Sequence, residues 1–403
     1  MNMKYGTRTG STRCNEQLSA AILVRLVSFI VLVCGLSGAA SAGPREQAKQ
    51  IHDRLAGVPP TDAVLQSMEQ KISGIGGTAI DAAYEAMDDP NFYNVTLKNF
   101  VAPWTNREGS VFVPLNDYIA TVIGMIRDGD PFNTVFSADV LYIGPGSLPA
   151  YSNNNNNHYE QMEAQGIDMQ AGLQRVVQSN YNGLPSGAVA GVWTTRAAAE
   201  AFFIAGTNRA QFRFTMLNHL CNDMEQVHDV KRPPDRIRQD VSRSPGGDSR
   251  LFLNNCIGCH SGMDPLAGAF AYYNFDETTG SIEYTPGVVQ PKYFNNDSNF
   301  EFGYRTTDDS WLNYWRDGQN QFLGWDPLLP GSGSGAASLG EELANSDAFA
   351  RCQVKKVFRA ICLREPEDAA DRNQIDNVMV PSFKAGYQMK QAFAEAAVYC
   401  KGP

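Results

Sequence analysis

The sequence predicts a mainly α-helical protein with a minor β-hairpin or irregular flap. Apolar residues recur every three to four positions through most of the chain, which is the spacing of amphipathic helices. Residues 115–130 are the clearest example, because their apolar positions share one helix face. These positions are Leu115, Ile119, Val122, Ile123 and Ile126. Residues 280–302 are instead rich in Tyr, Val, Pro and Asn, a composition typical of a hairpin or flap.

The first residues, 1–42, are typical of a secretory signal peptide. Basic residues precede a short apolar run at 26–36, and an Ala-Ser-Ala stretch offers a cleavage site before Gly43. The run is short for a membrane span, and no later segment is long and apolar enough to cross a bilayer. We therefore expect a periplasmic, secreted or outer-surface bacterial protein with no membrane span in the mature chain. An uncleaved N-terminal anchor is the alternative.

The mature chain divides into four predicted regions. An N-terminal helical region covers 43–150, and a central helical region covers 151–222. A region with a cysteine motif follows at 223–330, and a C-terminal helical region covers 336–403. The glycine-rich stretch 331–335 between these last two is expected to be a flexible connection.

The chain is acidic, with a formal net charge of -10. Acidic surfaces are poorly suited to nucleic acid or anionic lipid, because phosphate groups repel them. We therefore expect no nucleic-acid partner. The same charge would favour a basic protein partner.

The segment "CIGCH" places Cys256, Cys259 and His260 in the spacing C-x-x-C-H. Two thiols at this spacing can form thioethers with both vinyl groups of one porphyrin, and the adjacent imidazole then binds the iron. The motif therefore predicts one covalently attached haem c, and it makes 223–330 the haem-binding region. A redox dithiol, a plain disulfide and a metal site are the alternatives. Structural zinc would need a second ligand pair, and no other C-x-x-C or H-x-x-H occurs.

Four further cysteines remain in the mature chain, namely Cys221, Cys352, Cys362 and Cys400. Residues 347–362 read as one helix capped by Ser346 or Asp347, so Cys352 and Cys362 are separated by roughly 15 Å of helical rise. That distance excludes a bond between them. Two more helices, near 367–385 and 388–400, are expected to bring Cys400 back beside Cys362. We therefore expect the disulfides Cys362–Cys400 and Cys221–Cys352.

The sixth position of the iron decides between electron transfer and ligand chemistry. Met379 and Met389, beside or within the last helix, are candidate ligands, and so are His219 and His228. An open position is the remaining possibility. Met263 is too close to His260 in sequence to reach the opposite haem face, and we expect it to be a core residue.

Two arginines ahead of the motif, Arg238 and Arg243, are candidate partners of the haem propionates. Ordinary ion pairs with Asp235 or Asp240 are the alternative for them. After the motif, Asp264 is expected to follow the haem helix and to stabilise a turn.

The segment "CIGCHSGMDPLAGAFAYYNFDE" resembles a conserved stretch of planctomycete-type cytochrome c proteins. Shorter segments are similar to that family in the same order, including "RLAGVPPT" near the N-terminus and "LANSDAFARCQVKKVFRAICLREPED" near the C-terminus. Together these segments span most of the mature chain. The resemblance implies an exported, cytochrome c-like haem domain with additional helical regions. Many relatives are longer and carry further haem modules, whereas this chain has one C-x-x-C-H.

These observations favour an exported monohaem c-type cytochrome that exchanges single electrons with a partner protein. One alternative is a haem enzyme of the peroxidase or oxygenase type with an open distal site. Another is a surface or substrate-binding protein in which the haem is accessory.

Overall fold

Helices from both ends of the chain meet in one hydrophobic core. The computed structural model describes residues 42–204, 206–293 and 300–402. The signal peptide predicted for 1–42 lies, except for its last residue, outside the described residues. Residues Pro44–Lys401 form one compact unit, and the four regions predicted from the sequence are parts of it.

The predicted helical class is confirmed, because α-helices dominate the described residues. Short π-helical or 3-10 helical turns connect several of the consecutive helices. The α-helices are α1 (Pro44–Ala56), α2 (Asp62–Ile72), α3 (Ala79–Ala86), α4 (Lys98–Val101), α5 (Asp117–Asp128), α6 (Asn157–Ala164), α7 (Met169–Gly172), α8 (Arg196–Phe202), α9 (Arg209–His219), α10 (Ser249–Leu251), α11 (Ile257–Ala267), α12 (Ala336–Ala344), α13 (Asp347–Cys362), α14 (Ala369–Asn373), α15 (Val380–Lys384) and α16 (Met389–Tyr399). Within the ranges described above, no helix combines the length and the apolar character needed to cross a membrane.

Helix α5 lies at the centre of the core, as its apolar spacing predicted. All five of the apolar positions named above are buried. The helix begins after Asn116, whose side chain accepts a hydrogen bond from the Ile119 N–H, and it ends at Gly129 in the left-handed conformation. These two residues stop the helix at both ends because each satisfies backbone groups that the helix itself leaves unpaired.

The N-terminal and C-terminal helices pack against each other. Helix α16 contacts α13, α3 and α1. The Arg54 side chain on α1 donates a hydrogen bond of 2.8 Å to the carbonyl of Ile361 on α13. The Tyr84 hydroxyl on α3 donates to Gln391 on α16 at 3.1 Å. Residues far apart in sequence therefore share one core.

Both expected disulfides are present. Cys221 is joined to Cys352, with their Cα atoms 5.3 Å apart, and Cys362 is joined to Cys400 at 5.5 Å. Helix α13 begins after Ser346, whose hydroxyl accepts from the Phe349 N–H, and it ends at Cys362 as predicted. Helix α16 packs against α13, and Cys400 at the C-terminal end of α16 lies beside Cys362 at the C-terminal end of α13.

Within the described parts of the chain, three two-stranded antiparallel sheets complete the fold. Strand β1 (Leu141–Ile143) pairs with β2 (Gln174–Val176), β3 (Tyr273–Asp276) with β4 (Ser281–Tyr284), and β5 (Ser310–Leu312) with β6 (Ser332–Ser334). All of them are short and lie between helical segments.

The sequence placed the β-structure imperfectly. The hairpin expected within 280–302 begins earlier, at Tyr273, and Gly280 supplies the positive φ (71°) at its turn. The stretch 331–335 is not the flexible connection that we expected. Ser332–Ser334 pairs with β5, and the Trp311 indole N–H donates to Ser338 beside it. In both cases a strand pairs with residues outside the segment from which the prediction was made, 273–276 for the hairpin and 310–312 for the glycine-rich stretch.

Candidate functional site

The cysteine motif lies where a π-helical turn, which is wider than an α-helical turn, continues into α11. Phe252–Cys256 forms the wide turn, and Ile257–Ala267 continues as an α-helix. Cys256 is the last residue of the wide turn, and Cys259 and His260 lie in the first turn of α11. Such wide turns often occur at functional positions. The motif is thus carried by a continuous helical segment and not by a loop.

Both motif cysteines are half-buried and neither forms a disulfide, whereas Cys221, Cys352, Cys362 and Cys400 are all paired. The Cys259 thiol donates to the Met224 carbonyl at 3.4 Å. Burial raises the pKa of this thiol, and the nearby charge of Glu225 raises it further. A reactive redox dithiol requires the opposite shift, because the thiolate is the attacking form. The surroundings of Cys259 therefore do not favour the dithiol alternative.

Two glycines hold α11 against the rest of the protein. A Cβ atom on Gly258 would lie 2.4 Å from the His228 imidazole, and one on Gly262 would lie 2.0 Å from the Trp315 indole nitrogen. Positions four residues apart lie on the same helix face. In an α-helix this face points about 160° away from the direction of His260. The glycine face of α11 is therefore closely packed, and His260 lies on the opposite side of the helix.

The two glycines should differ in their tolerance of alanine. Replacing Gly262 with alanine is expected to lower the free energy of unfolding by about 1–3 kcal/mol, because Trp315 is fully buried and cannot move aside. Replacing Gly258 is expected to have a smaller effect, because the half-buried His228 ring can rotate outward. Urea unfolding of both variants measures the difference. Equal destabilisation would contradict the packing described here.

The imidazole of His260 contacts the carboxylate of Asp264. The distance from His260 Nδ1 to Asp264 Oδ1 is 3.1 Å, and the Asp264 side chain is fully buried. The two residues are four positions apart on α11, so one helix face carries both. We expected Asp264 to follow the helix and stabilise a turn. This was wrong, because the helix continues past Pro265 to Ala267.

Two arginines keep Asp264 ionised. Arg209 on α9 contacts both carboxylate oxygens, at 2.6 Å and 2.9 Å, and Arg238 donates its backbone N–H at 3.2 Å. Burial by itself would raise the pKa of Asp264. The charges of Arg209 and Arg238, together with the hydrogen bonds from Arg209 and His260, outweigh burial and hold this pKa well below its usual range.

The charge state of Asp264 determines which nitrogen of His260 carries the proton. An ionised carboxylate can only accept hydrogen bonds, so Nδ1 must be the donor. In the neutral imidazole, Nε2 then carries the lone pair and can bind a metal. The site therefore combines two unpaired thiols with an imidazole oriented for coordination through Nε2. This set of donors is suited to a covalently held haem.

The two arginines proposed as propionate partners have different surroundings. Arg243 donates to the carbonyls of Val241 and Ile237, and its guanidinium lies over the rings of Phe252 and Phe300. It therefore braces its own loop. These contacts do not include an ion pair with Asp235 or Asp240, the alternative that the sequence offered.

Arg238 is buried, with 1% of its surface exposed. One guanidinium nitrogen donates to Thr207, and the group lies 5.0 Å from the centre of the Tyr293 ring. Nε and Nη1 are buried without a hydrogen-bond partner among the residues that the structure describes. The ion pair with Asp240 that was the alternative for Arg238 is made by Arg209 instead. Of the two candidates, Arg238 is the one with buried donors left for an anionic group.

The two candidate methionine ligands lie in the core. Met379 has no exposed surface, and Met389 is 2% exposed. The segments that carry them pack mainly against α13 and its neighbours, whereas α11 packs mainly against α9, β5 and the turns beside them. Met263 is buried, as expected.

His219 is a buried core residue with both ring nitrogens in contact with polar groups. Nε2 lies 2.8 Å from the Tyr118 hydroxyl, and Nδ1 lies 3.4 Å from the Gln353 amide. The ring also packs against Trp104 and Phe136. These contacts give His219 a structural role, in place of the iron ligation proposed for it from the sequence.

The burial of His219 predicts an acid-sensitive fold. Burial, together with the nearby charge of Lys356, holds the pKa of His219 well below its ordinary value. Below about pH 6.5 the unfolded chain therefore binds a proton that the folded chain does not, and folding stability falls as the pH falls. We expect a decline approaching about 1.4 kcal/mol per pH unit from this group. Unfolding measured between pH 7 and 5 should show a smaller slope for His219→Gln, and an unchanged slope would contradict the assignment.

His228 lies close to the motif but on the packed side of α11. Its ring rests on Gly258, and the adjacent Asp229 N–H donates to the Gly258 carbonyl at 3.0 Å. Because Gly258 points away from the direction of His260, this position does not suit a second axial ligand. His228 supports the motif helix from behind.

Sequence reasoning missed three charged residues of this site, namely Asp264 as a partner of His260, Arg209 and Asp240. Arg209 bridges the two carboxylates, with contacts of 2.7 Å and 2.8 Å to Asp240. A signal was present for Asp264, because the spacing H-x-x-x-D places both side chains on one face of a continuing helix. No local signal identifies Arg209 or Asp240, which come from distant segments.

Neither a metal-binding cluster nor a known relative identifies the function of this site. Over the part of the chain with described coordinates, no group of three or more His, Cys, Asp or Glu side chains is arranged to hold a metal ion. The resemblance to planctomycete-type cytochrome c proteins stays a prediction. No model of a known protein family, no curated protein and no solved structure matches this chain.

Proposed function

We propose that this protein is an exported c-type cytochrome that holds one haem and passes single electrons to or from a partner protein. The observation that carries the proposal is the pair of half-buried, unpaired thiols beside an imidazole whose Nδ1 contacts a buried carboxylate. Cys256 and Cys259 would form the thioethers, and His260 would bind the iron through Nε2. When bound, the haem supplies the Fe(II)/Fe(III) couple.

The pairing of the cysteines supports this assignment. Disulfides form in oxidising compartments, and two are present here. Thioether attachment would keep two neighbouring thiols from oxidising to a disulfide in such a compartment. The disulfides also agree with the export proposed from the signal peptide, to the periplasm or the exterior of a bacterium.

Unpartnered donors of a buried arginine support an anionic group at this site. Arg238 would offer its unpartnered Nε and Nη1 donors to a haem propionate, because buried donors without a hydrogen-bond partner are otherwise unfavourable. The net charge of the protein, -10, would favour a basic redox partner.

A second candidate function is a haem enzyme with an open sixth position. It is favoured by the locations of the residues considered as sixth ligands. Met379 and Met389 lie in the core beside α13, His219 is hydrogen-bonded within the core, and His228 lies behind the motif helix. An iron without a strong sixth ligand would bind small molecules such as peroxide.

Absorption spectra of the purified holoprotein, produced with the bacterial haem-attachment machinery, test these proposals. A low-spin spectrum in both oxidation states, unchanged by peroxide or cyanide, is the result expected for an electron carrier. A high-spin spectrum that shifts with either ligand would favour the enzyme. A protein that folds and lacks any haem absorption would contradict both.

A further inference from the structure

We infer that Asp264 is the positioning residue of His260 and lowers the reduction potential of the haem by drawing the Nδ1 proton towards a buried carboxylate. This inference rests on the proposed function. It assigns a role to a residue that the motif C-x-x-C-H does not contain.

The geometry joins the two side chains within one rigid helix. Nδ1 of His260 lies 3.1 Å from Oδ1 of Asp264, one helical turn further along α11. The carboxylate is fully buried and His260 is 21% exposed. Water therefore has little access to the carboxylate that accepts the hydrogen bond. The position of this carboxylate sets the orientation of the His260 ring.

Arg209 holds the carboxylate in place. Its Nε and Nη2 contact the two oxygens of Asp264, and its Nη1 and Nη2 contact those of Asp240. A planar guanidinium bound in this way fixes both the plane and the charge of its partner. Asp264 is thus an anion of defined orientation, and Oδ1 stays directed at the imidazole.

A fixed anion at Nδ1 changes the electronic character of the other ring nitrogen. Hydrogen bonding to a carboxylate makes the imidazole a stronger electron donor to a metal. Stronger donation stabilises the ferric state more than the ferrous state, and this lowers the reduction potential. The effect is strong here because a buried hydrogen bond is weakly screened. A backbone carbonyl that accepted the same hydrogen bond would make the imidazole a weaker electron donor than a carboxylate does, since a carbonyl carries no full charge.

Asp240 provides a matched control for charge alone. It carries the same charge and shares Arg209 with Asp264, and its contacts include Arg209 and Thr207. Removing either carboxylate deletes one negative charge from the same cluster. Only the change at Asp264 also removes the charge from the group that accepts the His260 proton.

The test is the midpoint potential of the full-length holoprotein, measured by spectroelectrochemistry for wild type, Asp264→Asn, Asp240→Asn and Asp264→Glu. We expect Asp264→Asn to shift the potential to more positive values, by clearly more than Asp240→Asn does. Asp264→Glu should return the potential towards the wild-type value because it restores an anion. Equal shifts for the two asparagine variants would overturn the inference.

A second measurement covers the case in which Asp264→Asn does not fold. In ¹⁵N-labelled wild-type holoprotein, the Nδ1 proton of His260 should give a resolved resonance that exchanges slowly with water. Rapid exchange, or an unprotonated Nδ1, would overturn the inference even without a variant. Wild-type protein that carries no covalent haem would instead overturn the proposed function, and this inference with it.

Discussion

Replacing Cys256 and Cys259 together with alanine is expected to abolish haem retention on a denaturing gel. Thioether bonds survive denaturation, whereas a haem held only by an imidazole is released when the fold is lost. Each single variant should keep one thioether and a weaker haem stain. Haem staining combined with the intact mass of the purified chain measures the attachment.

His228→Ala is the matched control for that experiment. His228 contacts the motif helix through Gly258, on the side away from His260, and the chain without it should retain covalent haem. Survival of the haem stain in the double cysteine variant would contradict covalent attachment. Loss of the stain in His228→Ala would indicate that the haem lies on the Gly258 side of α11, and this would contradict attachment beside His260.

Removing the disulfide Cys221–Cys352 is expected to destabilise the fold strongly, and more than removing Cys362–Cys400 does. This bond closes a loop of 131 residues, and Cys362–Cys400 closes one of 38. Loop-closure entropy then predicts losses of about 5 kcal/mol and about 4 kcal/mol in the free energy of unfolding. Double serine variants of each pair, unfolded in urea, measure both values.

Serine is the appropriate replacement at Cys221. This residue has a positive φ of 54°, which most side chains disfavour. Serine is close to cysteine in size, so the change mainly removes the disulfide bond. Wild-type protein treated with a thiol reductant provides an independent check, since it should reproduce the combined loss. A larger effect for the shorter loop would show that native-state packing, and not the length of the closed loop, sets the contribution of these bonds.

Local features of the sequence were enough to predict much of the helical framework. Helix α13 and its Ser346 cap were predicted correctly because a cap and an apolar repeat act within a few residues of each other. This helix excluded a bond between Cys352 and Cys362, and the expected path of the two following helices selected one of the two remaining pairings. Helix α5 was equally clear for the same reason.

The electrostatic surroundings of the motif could not be predicted in this way. Arg209 and Asp240 lie 55 and 24 positions before Asp264 in the chain, and only the packing of α9 and the following loop brings them together. The distinction between Arg238 and Arg243 also depends on long-range contacts. Both are arginines ahead of the motif, yet one is buried with unpartnered donors and the other braces a loop.

By itself, the sequence determined the class of fold, the pairing of four cysteines and the residues Cys256, Cys259 and His260 on which the haem proposal rests. The fold class follows from helical spacing along the chain, the cysteine pairing from three successive predicted helices, and the haem residues from chemistry within five consecutive residues. Only the tertiary structure decided that the segment after the motif continues as a helix, that His228 lies behind it, and that a carboxylate clamped by Arg209 faces His260. The physical reason is that burial and charge at one side chain depend on segments that the chain brings together from far apart.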